Sequence, residues 1–322
     1  MATYKEIFGT NIEVLASDPA NPVTGQVWYN STDNVVKGLG YASSSWSTGG
    51  NLNKARRILT GAGQSTQTAG LVFGGLPIGG DTESYNGSSW TELNNMATSV
   101  YGRGGSGNQT AALAFGGAPA STNTESWNGT SWTEVNNLGT GRYLLTGTGS
   151  QTSALGSSGY AAPERQLNES WNGTSWTEVG DLNTACRNRG GVGLDNTSAL
   201  VFGGTINPGA KTDITESWNG TSWTEVADLN TARANVSGGG VATLAVAFAG
   251  TLEPGAYTNA TETWNGSSWT TSPVSMNTAR TSLAGVGTAG LALGAGGYQP
   301  GLSALTEEWI GAGPVVITFT DS

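Results

Sequence analysis

The side chains capable of chemistry fall into two sets, those that recur along the chain and those that do not. Arginine recurs at Arg57, Arg103, Arg142, Arg187, Arg233 and Arg280, and glutamate at Glu83, Glu125, Glu169, Glu216 and Glu262. Recurrence at equivalent places marks a frame. A partly buried guanidinium normally finds a carboxylate, so these arginines are expected to form ion pairs that lock successive segments together. The alternative is a ring of positive charge that holds an anion. Hydrolytic chemistry would need a pair of carboxylates at unrepeated positions, and Glu164, Asp195 and Asp213 are unrepeated, but no spacing brings them together. The chain has no histidine and one cysteine, Cys186. That leaves no nitrogen and sulfur ligand set for copper or zinc and no internal disulfide, so no catalytic residue, metal or cofactor is expected.

The formal charge is −10 with only 13 Lys plus Arg, so a phosphate backbone would be repelled and nucleic acid is not an expected partner. The N-terminal residues contain no apolar core of signal-peptide length. The longest apolar run, near Val241 to Gly250, is about half a membrane span. Neither export through a signal peptide nor membrane insertion is expected.

The elements that position these groups follow from a repeat. A tryptophan falls at Trp46, Trp90, Trp132, Trp176, Trp223 and Trp269, with spacings of 44, 42, 44, 47 and 46 residues. A second aromatic precedes each by five residues, at Tyr41, Tyr85, Trp127, Trp171, Trp218 and Trp264, and Trp309 continues that series. Periods of this length belong to propeller blades. Each segment reads as four strands: a glycine-rich stretch, an apolar run closed by glycines, and two strands flanking Asn-Gly. Helical periodicity is absent, and 51 glycines suit an all-β chain of short strands.

Asn-Gly pairs such as Asn128-Gly129 predict a two-residue type I′ hairpin, in which Trp127 faces Thr130 and Glu125 faces Trp132. Both tryptophans then lie diagonally on one face, as core between blades. The glycine-rich stretches, for example Gly190 to Gly193, fit the crowded innermost strand. Runs such as Leu71 to Gly75 and Leu200 to Gly204 fit a strand buried on both faces. The Asn-Gly-Ser/Thr sites also match the glycosylation signal, but turn chemistry explains them better.

A Gly-Gly doublet after an apolar strand, an aromatic on the third strand and a tryptophan on the fourth resemble the kelch family over roughly residues 41 to 310. Gly156-Ser157-Ser158-Gly159 and Ala249-Gly250 depart from the doublet. The resemblance implies a β-propeller of four-stranded antiparallel blades. Seven blades are favoured. In the six-blade alternative, Trp46 serves the outer strand of the last blade. Residues 1–26 are expected to be an attachment and connector segment and 27–322 a single propeller closed by its N- and C-terminal strands. Kelch propellers include copper oxidases, whose ligands are missing here. Ser170 to Trp176 also looks like a shortened sialidase Asp-box, itself a structural hairpin, without the unrepeated arginine cluster that such an enzyme needs.

Residues 2–10 and 18–30, Ala-Thr-Tyr-Lys-Glu-Ile-Phe-Gly-Thr and Asp-Pro-Ala-Asn-Pro-Val-Thr-Gly-Gln-Val-Trp-Tyr-Asn, resemble the start of structural proteins of marine tailed bacteriophages. That resemblance implies a virion tail, fibre or decoration protein, made in the host cytoplasm and fastened to other virion proteins through the N-terminal segment. A host surface glycan or protein would be bound by variable loops containing Pro77, Pro119, Tyr160, Pro208 and Tyr257. The recurring Trp90, Trp127, Trp132, Trp171, Trp176, Trp218, Trp223, Trp264 and Trp269, with Arg103, Arg142, Arg233 and Arg280, are assigned to the frame. An intracellular kelch-type scaffold and a glycan-active enzyme are the rival readings; the first would add a helical dimerisation module, and none is visible.

Overall fold

The computed structural model describes residues 12–23, 25–77 and 79–319. The chain is all-β among these residues and contains seven four-stranded sheets. Contacts divide it into two compact units, Trp46–Ile310 and Met1–Ser45 with Gly311–Ser322. The boundary therefore lies at Ser45/Trp46 and not near residue 26. Its cause is pairing: Val27–Asn30 bonds to Val35–Ala42, which bonds antiparallel to Gly313–Phe319, while Glu13–Leu15 joins the other edge in parallel. Asp18, in the stretch expected as a connector, instead accepts from Trp28 Nε1 at 3.0 Å, Asn30 Nδ2 at 2.8 Å and Lys37 Nζ at 3.0 Å. These bonds, led by Asn30, hold its carboxyl below the usual range. Residues 2–10, which carry part of the phage resemblance, lie outside the described residues.

The other six sheets are propeller blades, numbered here in chain order. Blade 1 comprises Thr60–Gly61, Leu71–Phe73, Thr82–Tyr85 and Trp90–Glu92, and blades 2 to 5 repeat it. Blade 6 takes Ala284–Gly287, Leu291–Ala295 and Thr306–Ile310 from the far end and Ser45–Thr48, with Trp46, as its outer strand. The inner strands neighbour one another in order, and that of blade 6 returns to that of blade 1. The closed cycle thus has six members, and the seventh sheet stands in its own unit.

Glycine makes the inner strands possible. A Cβ on Gly147 would lie 2.3 Å from the Gly105 nitrogen of the blade before. The second strands are buried, along the whole length at Ala112–Phe115 and beyond an exposed first residue at Leu244–Phe248 and Leu291–Ala295. The outer hairpin differs from the I′ register: Trp127 pairs directly with Trp132 and Glu125 with Glu134. The bend centres on Gly129 and Thr130, with Asn128 N–H donating to the Ser131 carbonyl at 3.2 Å. Asn128 Oδ1 accepts from the Thr130 and Ser131 amides at 2.9 and 2.8 Å, and Gly129 alone takes a positive φ of 90°. The side chain replaces a backbone acceptor and moves the turn on by one residue. Both indoles still share one face, with centroids 5.4 Å apart.

Blade faces are joined by a polar rung under the aromatic packing. The outer-strand indole of each blade donates to a threonine on the third strand of the blade before: Trp132 to Thr82, Trp176 to Thr124, Trp269 to Thr215 and Trp46 to Thr261, at 2.9 to 3.1 Å. Trp90 to Thr306, at 2.9 Å, closes the cycle. Tyr85 reinforces the closure by donating to Glu308 Oε1 at 2.7 Å. One rung is missing. Asn168 stands at the threonine position between blades 3 and 4, bonded to Ser157 Oγ at 2.8 Å, and Trp223 Nε1 is buried without a partner. Ser157 itself replaces the phenylalanine that lies edge-on to the next indole at Phe73, Phe115, Phe202 and Phe248.

Each blade also buries one arginine on one glutamate: Arg56 on Glu83, Arg103 on Glu125, Arg142 on Glu169, Arg189 on Glu216, Arg233 on Glu262 and Arg280 on Glu307, at 2.5 to 3.1 Å. Arg57 and Arg187 of the sequence series are not in this set. The guanidinium reaches the same spot from two chain positions three residues apart. Arg56 and Arg189 make matching bonds, to the carbonyls of Gly74 and Asp81 and of Gly203 and Ile214. Where the later position carries the arginine, Val100 or Cys186 fills the earlier one. Burial pulls the Arg56, Arg103, Arg233 and Arg280 pKa values down, opposed by the partner carboxylates.

Three outcomes are expected. Arg142→Ala leaves the Glu169 carboxylate buried and uncompensated and costs about 3–5 kcal/mol, read from the denaturant midpoint, against about 0.5 or less for the half-buried Arg57→Ala. The double change Ser157→Phe/Asn168→Thr supplies both missing partners of Trp223 and raises stability by about 1 kcal/mol; Asn168→Thr alone strands the Ser157 hydroxyl and gains less. Burial, with the Glu308 bond, pushes Tyr85 from its ordinary value of 10.0 up to about 12. Its contribution is therefore fully present below pH 10 and falls as pH rises from there towards about 12; alkaline unfolding of Tyr85→Phe is correspondingly less steep.

Candidate functional site

The inner strands surround an axial channel with two unlike ends. At the end where these strands begin, six residues form a collar: Ile58, Gly102, Leu144, Asn188, Asn235 and Ser282, all with φ between 53° and 68°. Five are not glycine, and the left-handed conformation costs such residues about 1–2 kcal/mol each. Bonds between blades hold it: Ile58 N–H donates to Ser282, Leu144 to Gly102, Asn188 to Leu144 and Asn235 to Asn188, at 2.7 to 3.0 Å. The collar itself lines a cavity of about 100 Å³, and behind it lies another of about 150 Å³. The channel then narrows among glycines to about 10 Å³. Gln64 crosses the far end, its side-chain amide donating to the Leu194 carbonyl of blade 4. The described cavity linings contain no carboxylate.

The loops between second and third strands emerge beside the collar, because the residue before each collar position lies against the residue after the glycine doublet. Arg57 bridges to Leu76, Tyr143 to Tyr160, Arg187 to Thr205, Ala234 to Thr251 and Thr281 to Tyr298. These side chains follow no repeat, although the backbone beneath them does. Tyr160 meets Tyr143 edge-on at 5.4 Å, and Tyr298 meets Tyr257 at 5.8 Å. The Arg187 guanidinium lies 4.8 Å from the Tyr160 ring centre, and Arg57 lies 4.8 Å from that of Tyr298. Both guanidinium groups lie within cation–π range of a tyrosine ring.

The five loop residues named from sequence thus occupy one end of the ring, each in a different blade. Pro77, Pro119 and Pro208 are exposed, whereas Tyr160 and Tyr257 are half-buried in the two aromatic groups. The recurring tryptophans are core: Trp127, Trp171, Trp218 and Trp264 are at most 2% exposed, and Trp90, Trp132, Trp223 and Trp269 are buried, with Trp176 half-buried. Arg103, Arg142, Arg233 and Arg280 lie in the glutamate pairs.

Sequence reasoning missed the rim roles of Arg57, Arg187, Tyr143 and Tyr298. The signal was present in the doubled Arg56-Arg57 and in tyrosine directly after the glycines at Tyr160 and Tyr298. The unrepeated carboxylates are not assembled. Glu164 pairs with Arg187 at 2.8 Å at the collar end. Asp195 closes the opposite end of the Gly190–Asp195 strand, about 20 Å away at strand rise, where bonds from Thr197 hold its carboxyl low. Asp213 lies in the Lys211–Trp218 strand of blade 4, with neither hydrogen bond nor ion pair to Glu164. Cys186 is buried beneath the rim, and burial pushes its thiol pKa up, away from nucleophilic use. Among the described residues no group of three or more His, Cys, Asp or Glu could hold a metal ion.

No family model and no curated protein matches the sequence. Solved structures do match, among them one described as the structure of YjhT, with a TM-score of 0.68 and 12% identity over 83% of this chain and 99% of that one. At that identity the likeness shows the fold alone, and the chain is a β-propeller with kelch-like four-stranded blades.

Proposed function

We propose that the propeller is a non-enzymatic recognition module of a virion, displayed as part of a tail, fibre or decoration protein, whose collar end meets a host surface glycan or protein. One observation carries the recognition reading. Inside the ring the six-fold repeat of packed and paired side chains is kept apart from the Trp223 rung, and it is broken around the collar, where tyrosine and arginine gather. Those residue types supply large, stiff contact area with polar edges and dominate binding surfaces.

The virion setting rests on the resemblance of residues 2–10 and 18–30 to bacteriophage structural proteins. The smaller unit suits attachment, since it exposes Val14, Ile317 and Phe319, at 66%, 42% and 52%. A scaffold for protein partners needs the same fold and the same surface, without the particle. Glycan cleavage is less well supported, because Glu164 is committed to Arg187 and Asp195 lies at the other end of the strand.

Tyr160→Ala and Tyr257→Ala, singly and together, test the reading on the full chain. The expected outcome on immobilised host envelope fractions is binding at least tenfold weaker for the double variant, with a thermal midpoint within a few degrees of the parent. Unchanged binding removes the collar end as the recognition surface. Release of sugar from a host polysaccharide panel by the parent protein would replace binding with catalysis.

A further inference from the structure

The rim contains two copies of one backbone arrangement, and beside the stacked arginine they differ in one group. The Ser157–Asn168 segment of blade 3 and the Ala295–Thr306 segment of blade 6 have equal length and the same backbone bonds. Tyr160 pairs with Glu164 as Tyr298 pairs with Leu302. Arg165 N–H reaches the Gly159 carbonyl at 2.7 Å, as Ser303 N–H reaches Gly297 at 3.0 Å. In each copy an arginine of the following blade lies 4.8 Å from the tyrosine ring centre, Arg187 in one and Arg57 in the other. The copies are three blades apart in a cycle of six, so they face each other across the collar.

The differing group is an acid. Glu164 Oε1 lies 2.8 Å from Arg187 Nη1, whereas Leu302, 42% exposed, occupies the corresponding place beside Arg57. Of the twelve described lysines and arginines, ten have a carboxylate partner among the described residues and two, Arg57 and Arg165, have none; Arg165 Nη2 donates instead to the Ala161 carbonyl at 3.2 Å. In a chain of net charge −10 an unpaired guanidinium at a recognition rim is complementary to an acid brought from outside. Stacking on Tyr298 leaves its N–H edge free for two parallel bonds to a carboxylate. Exposed Leu302 and the edge-on Tyr257 give the surroundings the composition of a protein interface.

We propose that Arg57 and Tyr298 receive an aspartate or glutamate side chain from an extended segment of a partner protein, as Arg187 and Tyr160 receive Glu164. This inference rests on the recognition reading and specifies one contact within it. The guanidinium edge donates to the partner carboxylate, and Leu302 packs against the neighbouring partner side chain.

The probe is a synthetic peptide copying Tyr160–Leu167, titrated into the full chain and followed by ligand-detected NMR, beside the same peptide with glutamine in place of glutamate. Binding of the glutamate peptide is expected, at least tenfold weaker for the glutamine peptide and for the Arg57→Gln protein. Leu302→Glu supplies the acid from within, so it is expected to lose the peptide while keeping its thermal midpoint at or above the parent value. Binding that ignores Arg57→Gln, or no binding of the peptide at all, overturns the proposal. Arg57-dependent binding of free glucuronate without the peptide also overturns it, by making the partner a saccharide. Host binding that needs Tyr160 but not Arg57 removes this contact and leaves the recognition reading in place.

Discussion

Six guanidinium and carboxylate pairs withdrawn from water set the position of everything else in the ring. Each glutamate does more than neutralise. Its second oxygen accepts a backbone N–H of the linker arriving from the previous blade, from Asn53, Ala97, Gly139, Asn183, Asn230 and Asn277 at 2.5 to 2.8 Å. Arg56, Arg189, Arg233 and Arg280 meanwhile hold carbonyls at the end of the second strand and just before the third-strand threonine, whereas Arg103 and Arg142 hold the linker carbonyls of Thr98 and Thr140. Incoming linker, second strand and third strand therefore converge on one buried pair. Such a pair is costly to desolvate and more costly to break, so geometry near it has little freedom.

That rigidity is what lets the collar be strained and the rim vary. Five non-glycine residues stay left-handed at the collar because the strands on both sides of them are fixed. Rim side chains contribute little to the frame, so arginine, tyrosine, threonine, leucine and alanine can all occupy equivalent positions around it. Constancy below and variation above is the division of labour expected of a scaffold that presents loops.

The fold was legible from sequence because its determinants are periodic: paired aromatics five residues apart, glycine where strands crowd the axis, and Asn-Gly in each outer hairpin. What escaped was set by geometry rather than spacing. Asn128 captures two amides with its side chain and shifts the bend by one residue, which no count of turn residues would give. Arg57 and Arg56 are adjacent in sequence, yet one stacks on a tyrosine and the other is buried, because two chain positions serve one buried spot. Val27–Asn30 and Val35–Ala42 alternate as propeller strands do, and only their pairing with Gly313–Phe319 assigns them to another unit. The candidate site was legible as loops but not as a rim, since its contacts cross from blade to blade.

The outer strand of blade 6 comes from the opposite end of the sequence to the rest of that blade. The indole of Trp46 meets Thr261, 215 residues away, and that of Trp90 meets Thr306, 216 residues away. Blades 2 to 5 are local hairpins that can assemble as synthesis proceeds, but the final seam waits for residue 310 to leave the ribosome. Until then an arc with two unsatisfied edges persists, and joining them pays the loop-closure entropy of the whole ring in one step. A slow completing step, open to exchange of the Trp46 strand between neighbouring chains, is the expected kinetic counterpart of the stability that circular closure confers.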